Sequence, residues 1–244
     1  MEEKNSFTNI HGEEFPLPSY RVIGHIYTDF PTKFGIPRQS GLASSLTGII
    51  RFTGAYRNPD ALRGIEEFSH LWLLWLFSET IREGDEARFI PTVRPPRLGG
   101  NERMGVFATR SPFRPNPIGL SSVRLEEVRT EKSGETVLIV SGADLMNGTP
   151  ILDIKPYLPF TDSHPDAVGG FANKHLSYQL DVVFPEELLT KLPKEKHDSI
   201  LEILREDPRP AYQNDPERVY GFSFSGHEIC FRVEDNTLTV VWVE

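Results

Sequence analysis

The sequence predicts a mainly β protein, in which a small β-barrel domain without a Rossmann fold is followed by a small α+β domain. Between residues 18 and 163, at least six short apolar or alternating segments are separated by long loops rich in proline and glycine, as in barrels. No Gly-x-Gly-x-x-Gly follows a strand-like segment, which excludes the dinucleotide fingerprint. After these segments, two stretches with helical periodicity appear among short strands. We therefore expect an N-terminal arm (1–17), a barrel domain (18–163) and a C-terminal domain (164–244).

The barrel strands are predicted from alternation of apolar and polar residues, or from apolar runs bounded by turn residues. The run Phe68–Phe77 is apolar on both faces, which predicts a strand buried on both sides, with a buried helix as the alternative. A short helix is expected within Asn58–Ser69, with Asp60 near its start. The other predicted strands are Tyr20–Tyr27, Leu46–Thr53, Gly105–Thr109, Gly119–Val128, Thr136–Leu145 and Ile151–Leu158.

The C-terminal domain is predicted to combine two helices with a small sheet. Pro185–Leu192 and Pro193–Asp207 are the expected helices, and the second carries one apolar face. The residues of that face are His197, Ile200, Leu201 and Leu204. The expected strands are His175–Phe184, Tyr220–Gly226, His227–Asp235 and Leu238–Glu244, with a turn at Asp235-Asn236.

Composition excludes several classes of protein. The longest apolar run has seven residues, Leu71–Phe77, whereas a membrane helix needs about 20. No apolar segment follows a basic N-terminus, so we expect no signal peptide. A single cysteine rules out an internal disulfide, which favours the cytoplasm, and the seven scattered histidines lack the spacing of a zinc site. We expect no metal and no membrane.

Charge is distributed unevenly along the chain. The net charge is −9, yet residues 88–114 hold six arginines and a single acid, Glu102. A basic patch on an acidic protein can contact a polyanion locally. An ordinary mixed surface is the alternative explanation of the same count.

The stretch Arg103–Ser121 is the most distinctive part of the sequence. It contains the prolines Pro112, Pro115 and Pro117 within six residues. Because proline fixes φ and removes a donor, this stretch is predicted to be a stiff, extended loop between two strands. A loop of this kind holds its guanidinium, amide and backbone groups with little ordering cost on binding. Such groups suit a flat, polar, partly anionic ligand such as a nucleotide.

Four segments share an unusual content of proline, glycine, arginine or polar residues. They are loop 1 (Phe34–Leu42), loop 2 (Val93–Asn101), loop 3 (Ala108–Ser121) and loop 4 (Asp144–Phe160). If these loops gather at one end of a barrel, they form one concave polar site. For any single residue of these loops, the alternative is a structural role, either as the cap of a turn or in an ion pair that stabilises the loop. The hypothesis of a site therefore rests on all four loops together.

These four segments, together with EEFSHLWLL, resemble the TsaA-like (YaeB-type) family over about Tyr20–Asp162. The resemblance implies a small non-Rossmann β-barrel that works as a homodimer and uses S-adenosylmethionine. It also implies a tRNA (adenine-N6)-methyltransferase. The implied substrate is N6-threonylcarbamoyladenosine, next to the anticodon in the tRNA anticodon loop. The C-terminal domain is similar to the one that bacterial members carry.

The same resemblance implies a set of cofactor-binding residues. In this chain Ser78-Glu79 stands where many relatives have a histidine and an amide, and Asn147 stands where an aspartate is common. The implied cofactor residues are Pro37, Arg38, Gln39, Ser78, Glu79, Arg110, Leu120, Asp144, Leu145, Met146 and Asn147.

Loops 3 and 4 also supply catalytic candidates. We hypothesise that Asp153 or Tyr157 accepts the proton from N6, while Asn116 and Lys155 hold the base or the carbamoyl oxygen. The arginines Arg94, Arg97, Arg103 and Arg114 are predicted to contact phosphates of the anticodon loop. The alternative function is a non-catalytic S-adenosylmethionine sensor or RNA-binding protein on the same barrel.

Overall fold

The computed structural model describes residues 6–8, 10–16, 19–81, 90–95, 103–175, 178–209 and 215–244. The first strands are β1 (Ser6–Thr8), β2 (Glu14–Pro16), β3 (Gly24–Tyr27), β4 (Thr47–Phe52), β5 (His70–Leu76), β6 (Thr92–Val93) and β7 (Met104–Gly105). The later strands are β8 (Ile118–Thr130), β9 (Thr136–Ser141), β10 (Thr149–Pro156), β11 (Asp181–Val183), β12 (Tyr220–Phe224), β13 (His227–Glu234) and β14 (Thr237–Val243). The α-helices are α1 (Pro159–Asp162), α2 (Glu186–Leu189) and α3 (His197–Arg205).

Six strands close into an antiparallel barrel in the order β10-β3-β4-β9-β8-β5, which confirms the predicted fold class. Closure leaves no edge strand exposed for pairing with another chain. Alternate residues of each strand point inward, as the period of two requires. On β5, Leu71, Leu73 and Trp75 are buried, and they pack with Ile26, Ile50 and other apolar residues into one core.

The C-terminal domain contains a four-stranded sheet in the order β11-β14-β13-β12, with β11 parallel to β14. The face that α3 buries differs slightly from the predicted one. Ile200, Ile203 and Leu204 are buried, whereas His197 and Leu201 are only half-buried. The helix begins at His197, after a 3₁₀ turn over Lys194–Lys196.

Two local predictions were wrong. Strand β5 is buried on its inner side only, because the outer side chains Trp72, Leu74 and Leu76 face away from the barrel core. The segment Gly105–Thr109 contains a 3₁₀ helix over Val106–Ala108, closed by the bond from the Thr109 amide to the Val106 carbonyl. The short helix expected within Asn58–Ser69 is a 3₁₀ helix over Pro59–Leu62 with Asp60 in its first turn, and a second 3₁₀ turn over Ile65–Glu67 follows Gly64 at φ 84°. Within the N-terminal arm, β1 pairs with β2.

The two domains share a hydrophobic core. Phe30, Ala43 and Leu46, which lie between β3 and β4, are almost fully buried among residues of the C-terminal sheet and α3. The Phe30 and Phe224 rings lie 5.5 Å apart. The predicted domain boundary after residue 163 stays a prediction. The buried apolar contacts between the two domains mean that each domain stabilises the other. No helix in the described ranges is long and apolar enough to cross a bilayer.

Candidate cofactor site

A cavity of about 300 Å³ lies at the rim of the barrel, where loop 1, loop 3 and the start of loop 4 meet the end of β5. This volume is at the lower end of the range for small-molecule sites. The cavity is lined by Pro37, Arg38, Gln39, Trp75, Phe77, Thr109, Arg110, Arg114, Ile118, Gly119, Leu120 and Asp144. Segments more than 100 residues apart in sequence therefore share one concave surface.

Hydrogen bonds hold loops 1 and 3 together across the cavity. The Arg110 Nη1 donates to Gln39 Oε1 at 2.6 Å, and Gln39 Nε2 donates to the Arg38 carbonyl at 2.5 Å. Close by, the Ser122 amide donates to Ser40 Oγ at 3.2 Å. These contacts join loops 1 and 3 into one polar wall of the cavity.

Asp144 is the acidic group of the cavity. Trp75 Nε1 donates to Ser121 Oγ at 3.0 Å, and Ser121 Oγ donates to Asp144 Oδ1 at 2.5 Å. Burial raises the pKa of Asp144 above its ordinary value, while the Ser121 hydrogen bond and the positive charge of Arg110 oppose the rise. A raised pKa indicates a carboxylate that lacks full compensation, so a cationic or donor-rich ligand would stabilise its ionised form.

An aromatic wall faces these polar groups. The rings of Trp75 and Phe77 lie 4.3 Å apart at an interplanar angle of 60°. Gly119 permits this arrangement, because a Cβ at that position would lie 2.2 Å from Cε2 of Trp75. Leu120, which is 47% exposed, extends the apolar surface along the rim. Such a wall suits the flat face of a nucleobase.

The residues of the cavity fit S-adenosylmethionine. That molecule combines an aromatic base, ribose hydroxyls, two cationic centres and one carboxylate. The aromatic wall matches the base, the Asp144 carboxylate matches a hydroxyl or a cationic centre, and the Arg38 and Arg110 guanidiniums match a carboxylate. Among the described residues, no cluster of histidine, cysteine, aspartate and glutamate could hold a metal ion.

The structure brings six of the implied cofactor residues together: Pro37, Arg38, Gln39, Arg110, Leu120 and Asp144 line the cavity. The other five lie outside its lining, and their role stays a prediction. Leu145 is buried in the barrel core, and Asn147 Oδ1 accepts a hydrogen bond from the Thr28 amide at 3.2 Å. The Met146 carbonyl accepts from Thr149, while Ser78 and Glu79 form a 3₁₀ turn directly after Phe77.

The sequence did not predict a role in this cavity for Trp75, Phe77 or Ser121. The two aromatic residues belong to an apolar run that predicts a buried strand, although their position at its C-terminal end places them beside a loop. Ser121 looked like an ordinary strand residue. Its inward side chain, 1% exposed, could only be recognised once the register of β8 against β5 was known.

The catalytic candidates do not line the cavity within one chain. Asn116, within loop 3, accepts a hydrogen bond through Oδ1 from the Tyr20 hydroxyl at 2.8 Å. Asp153 pairs with Lys155 at 2.8 Å, and the Tyr157 ring lies 5.6 Å from that of Trp72.

The register of β10 on β5 explains this separation. Ile151 pairs with Trp75 at the cavity, whereas Tyr157 follows the pair Pro156–Leu71. At about 3.3 Å per residue, Tyr157 lies roughly 20 Å along the strand from the cavity end.

The predicted RNA-binding arginines have two kinds of environment. Arg94 and Arg103 are exposed and flank the paired ends of β6 and β7, where Arg103 donates to Thr92 Oγ1 at 3.1 Å. Arg114 instead stabilises loop 3, since its Nη1 donates to the carbonyls of Thr109 at 2.6 Å and of Val106 at 3.2 Å. Its guanidinium also lies over the Phe107 ring. Arg97 lies outside the described residues.

Known proteins match this chain in both domains. The family model of the tRNA-methyltransferase O N-terminal domain matches residues 25–163, and that of the TrmO C-terminal domain matches residues 177–244. The chain belongs to the tRNA-methyltransferase O family. This confirms the family predicted from the sequence and the class of enzyme, a tRNA methyltransferase.

Relatives of this family align with 68% to 92% of the chain. The tRNA (adenine(37)-N6)-methyltransferase of Escherichia coli (strain K12) is 43% identical over 233 residues, covering 92% of this chain and 97% of its own length. The protein of the same name from Eikenella corrodens is 49% identical over 168 residues, covering 68% of this chain and 92% of its own. A crystal structure of TrmO from Pseudomonas aeruginosa is similar with a TM-score of 0.72 at 33% identity, covering 93% of this chain and 98% of that one.

Proposed function

We propose that this protein transfers a methyl group from S-adenosylmethionine to N6 of threonylcarbamoyladenosine, next to the anticodon of tRNA. The observation that carries the proposal is the cavity in which Gln39, Arg110 and Asp144 face an aromatic wall. Relatives support the reaction and the cofactor by name. Two are named above as tRNA (adenine(37)-N6)-methyltransferases, and a Pyrococcus abyssi protein, 34% identical over 183 residues, is named a probable S-adenosyl-L-methionine-binding protein.

The chemical task of the protein is mainly one of positioning. When bound, S-adenosylmethionine supplies an electrophilic methyl group and leaves as a neutral thioether. Asp144 would hold a hydroxyl or a cationic centre, and Arg110 would hold a carboxylate while Gln39 keeps its guanidinium in place. Orientation of this kind can lower a barrier by several kcal/mol.

A proton acceptor should assist the reaction, because the N6 lone pair of a carbamoylated adenine is delocalised. Asp153 and Tyr157 remain the candidates for this role, with Asn116 and Lys155 as hydrogen-bonding groups to the base or the carbamoyl oxygen. The ion pair between Lys155 and Asp153 does not prevent these roles, because both side chains are exposed to solvent and can change partners. The Lys155 ammonium has a raised pKa through that hydrogen bond and remains charged.

We further propose that the protein works as a homodimer. Within one chain Asp153 pairs with Leu74, next to Trp75 of the cavity, whereas Tyr157 lies near the opposite end of β5. A site that uses both the cavity and Tyr157 therefore has to be completed across a contact between two copies. The outer face of β5 and β8 supports such a contact. It pairs Leu74 with Leu120 and Leu76 with Ile118 in an apolar band on the barrel exterior.

A methyl-transfer assay tests the proposed function. The protein is incubated with methyl-labelled S-adenosylmethionine and either tRNA that carries the threonylcarbamoyl group without the N6-methyl group or tRNA that lacks the threonylcarbamoyl group. We expect label in threonylcarbamoyladenosine from the first tRNA alone, as detected by nucleoside mass spectrometry. Cofactor binding without transfer would instead support the non-catalytic sensor, and transfer to unmodified adenosine would contradict the proposed substrate.

Variants of the two proton-acceptor candidates refine the assay. Asp153→Asn and Tyr157→Phe keep the shape of each side chain but remove its ability to take up a proton. We expect at least one of them to lower kcat by about 10²–10⁴-fold while the Kd for S-adenosylmethionine stays unchanged. Normal turnover by both variants would eliminate Asp153 and Tyr157 as acceptors.

A further inference from the structure

The connection between β3 and β4 carries half of the polar wall of the cavity but has no regular structure of its own. It runs from Thr28 to Leu46 without a helix or a strand, and loop 1 lies within it. Loops of this length without secondary structure are uncommon in compact domains and are usually functional. Something outside the loop must therefore fix the positions of Pro37, Arg38 and Gln39.

The C-terminal domain makes contacts near the start of this connection. Lys196 Nζ lies 2.6 Å from Asp29 Oδ2, and the Ser225 amide donates to the Asp29 carbonyl at 3.0 Å. Farther along, Gly35 has φ +84° and lies against Phe222, so that a Cβ there would come 2.3 Å from the ring. Beside the cavity, Arg38 Nη2 donates to the Arg209 carbonyl at 3.2 Å.

The far end of the connection is held by α3. Glu202 Oε2 accepts hydrogen bonds from both the Ser45 amide and Ser45 Oγ at 2.9 Å, and Glu202 Oε1 accepts from Ser44 Oγ at 3.4 Å. Ser199, which is 2% exposed, donates through Oγ to the Ser45 carbonyl at 2.9 Å. Both backbone polar groups of Ser45 are thus satisfied by one helix of the other domain.

We infer that Glu202 is a positioning residue for the cofactor: by holding Ser44 and Ser45 it keeps loop 1 in the conformation that binds S-adenosylmethionine. The inference rests on the proposed function, because it assigns the cofactor to the cavity. Glu202 lines no part of that cavity, so it acts through the loop alone. A loop ordered before binding loses less conformational entropy when the ligand arrives. The acidic C-terminal domain then contributes directly to cofactor affinity.

The test compares three full-length variants with the wild type. Glu202→Ala removes every acceptor, Glu202→Gln keeps an oxygen for Ser45 and removes the charge, and Glu187→Ala removes an exposed glutamate elsewhere in the same domain. Calorimetry measures the Kd for S-adenosylmethionine, and hydrogen exchange measures the amides of residues 34–46 in the ligand-free protein. We expect Glu202→Ala to raise Kd about 5- to 10-fold, as expected for a loop that must order on binding. The same variant should exchange faster at residues 34–46, and the other two should resemble the wild type.

Several outcomes would contradict either the role of Glu202 or the proposed function. Unchanged Kd and unchanged exchange in Glu202→Ala would overturn the inference, as would a Kd for Glu187→Ala that rises equally. If Glu202→Ala does not fold, Ser199→Ala removes a single hydroxyl and should move Kd and exchange in the same direction; no change there would overturn the inference. A wild type that binds no S-adenosylmethionine but keeps slow exchange at residues 34–46 would contradict the proposed function instead of the bracing by Glu202.

Discussion

Asp144 is a partly buried carboxylate whose desolvation costs stability while it supplies the acidic group of the cavity. Its raised pKa results from burial, which the Ser121 hydrogen bond and the Arg110 charge only partly offset. A carboxyl group whose folded-state pKa is raised binds more protons in the folded state than in the unfolded state. Stability therefore falls as pH rises from the ordinary value of 3.8 through the raised value. Functional groups often carry such a cost.

The Asp144→Asn variant should separate binding from stability. Asparagine keeps an oxygen for Ser121 but carries no charge, so we expect the affinity for S-adenosylmethionine to fall about 10- to 100-fold, the range for a hydrogen bond to a charged group. In the wild type the affinity should rise as pH increases through the pKa of Asp144, and in the variant this dependence should be absent. Calorimetry across pH measures both.

Thermal unfolding of the ligand-free proteins provides the control for Asp144→Asn. Above the pKa of Asp144 the variant should be at least as stable as the wild type, because it avoids burying a charge. A variant that is much less stable at neutral pH would show that Asp144 serves the fold and not the ligand.

Gly119 is a second residue at which geometry yields a sharp prediction. A methyl group at this position would overlap the Trp75 indole, whose Nε1 is held by Ser121. Gly119→Ala should therefore lower the free energy of unfolding by about 1–3 kcal/mol, as overpacking does, and weaken cofactor binding. Gly105→Ala is a matched control, because a Cβ there meets nothing within 4 Å. Chemical denaturation measures the difference, and equal stability of the two variants would contradict it.

At the scale of elements, loop 3 is stiff for two independent reasons. Its prolines limit φ, and Arg114 bonds the carbonyls of Val106 and Thr109 within the same turn. An arginine engaged in this way has fewer donors left for phosphates, which distinguishes it from Arg94 and Arg103. Basic residues near a substrate site thus divide into those that build the loop and those that face outward.

The hairpin β6–β7 gives the prediction at this scale. Arg94→Ala and Arg103→Ala should each weaken tRNA binding and reduce the slope of log K against log salt by about 1, the value for one lost phosphate contact. Arg129→Ala, at an exposed site on β8 near Glu127, is the control and should change neither quantity. Fluorescence titrations of tRNA at several salt concentrations measure the slope. A slope that neither hairpin variant alters would remove these arginines from the RNA interface.

At the scale of the whole molecule, the barrel and the C-terminal sheet form one interdependent unit. The side chains of Phe30, Ala43 and Leu46 pack in the core of the C-terminal domain. Next to Leu46, helix α3 forms hydrogen bonds with the backbone of Ser45. Because these residues flank loop 1, the shared core and the cofactor cavity depend on the same segment of chain. The fold thus connects the stability of one domain to the binding site of the other.

The proposed homodimer gives the prediction for the whole molecule. Leu74→Glu places a charge in the apolar band on the outer face of β5 and should convert the protein to a monomer, since burial of an unpaired charge is strongly unfavourable. Val241→Glu, on the exposed face of β14, is the control and should leave the dimer intact. Light scattering after size-exclusion chromatography measures the mass. A wild type that is monomeric at micromolar concentrations would contradict the proposal.

The sequence by itself determined most of the barrel strands and the class of protein that they build. Alternation and turn residues located the barrel strands, and the Pro-Arg-rich loops identified the family, because both depend on local chemistry that is visible residue by residue. The tight turn over Val106–Ala108 was missed because it depends on hydrogen bonds inside a loop rather than on periodicity.

Only the tertiary structure decided which distant residues share the site. The register of β8 and β10 on β5 brought Ser121 and Gly119 to Trp75 and carried Tyr157 toward the opposite end of the strand. A shift of one residue in that register would reverse every side chain, and no local pattern specifies it when both faces are apolar. The contact of Glu202 with Ser45 likewise joins residues 157 positions apart, so it arises from packing alone.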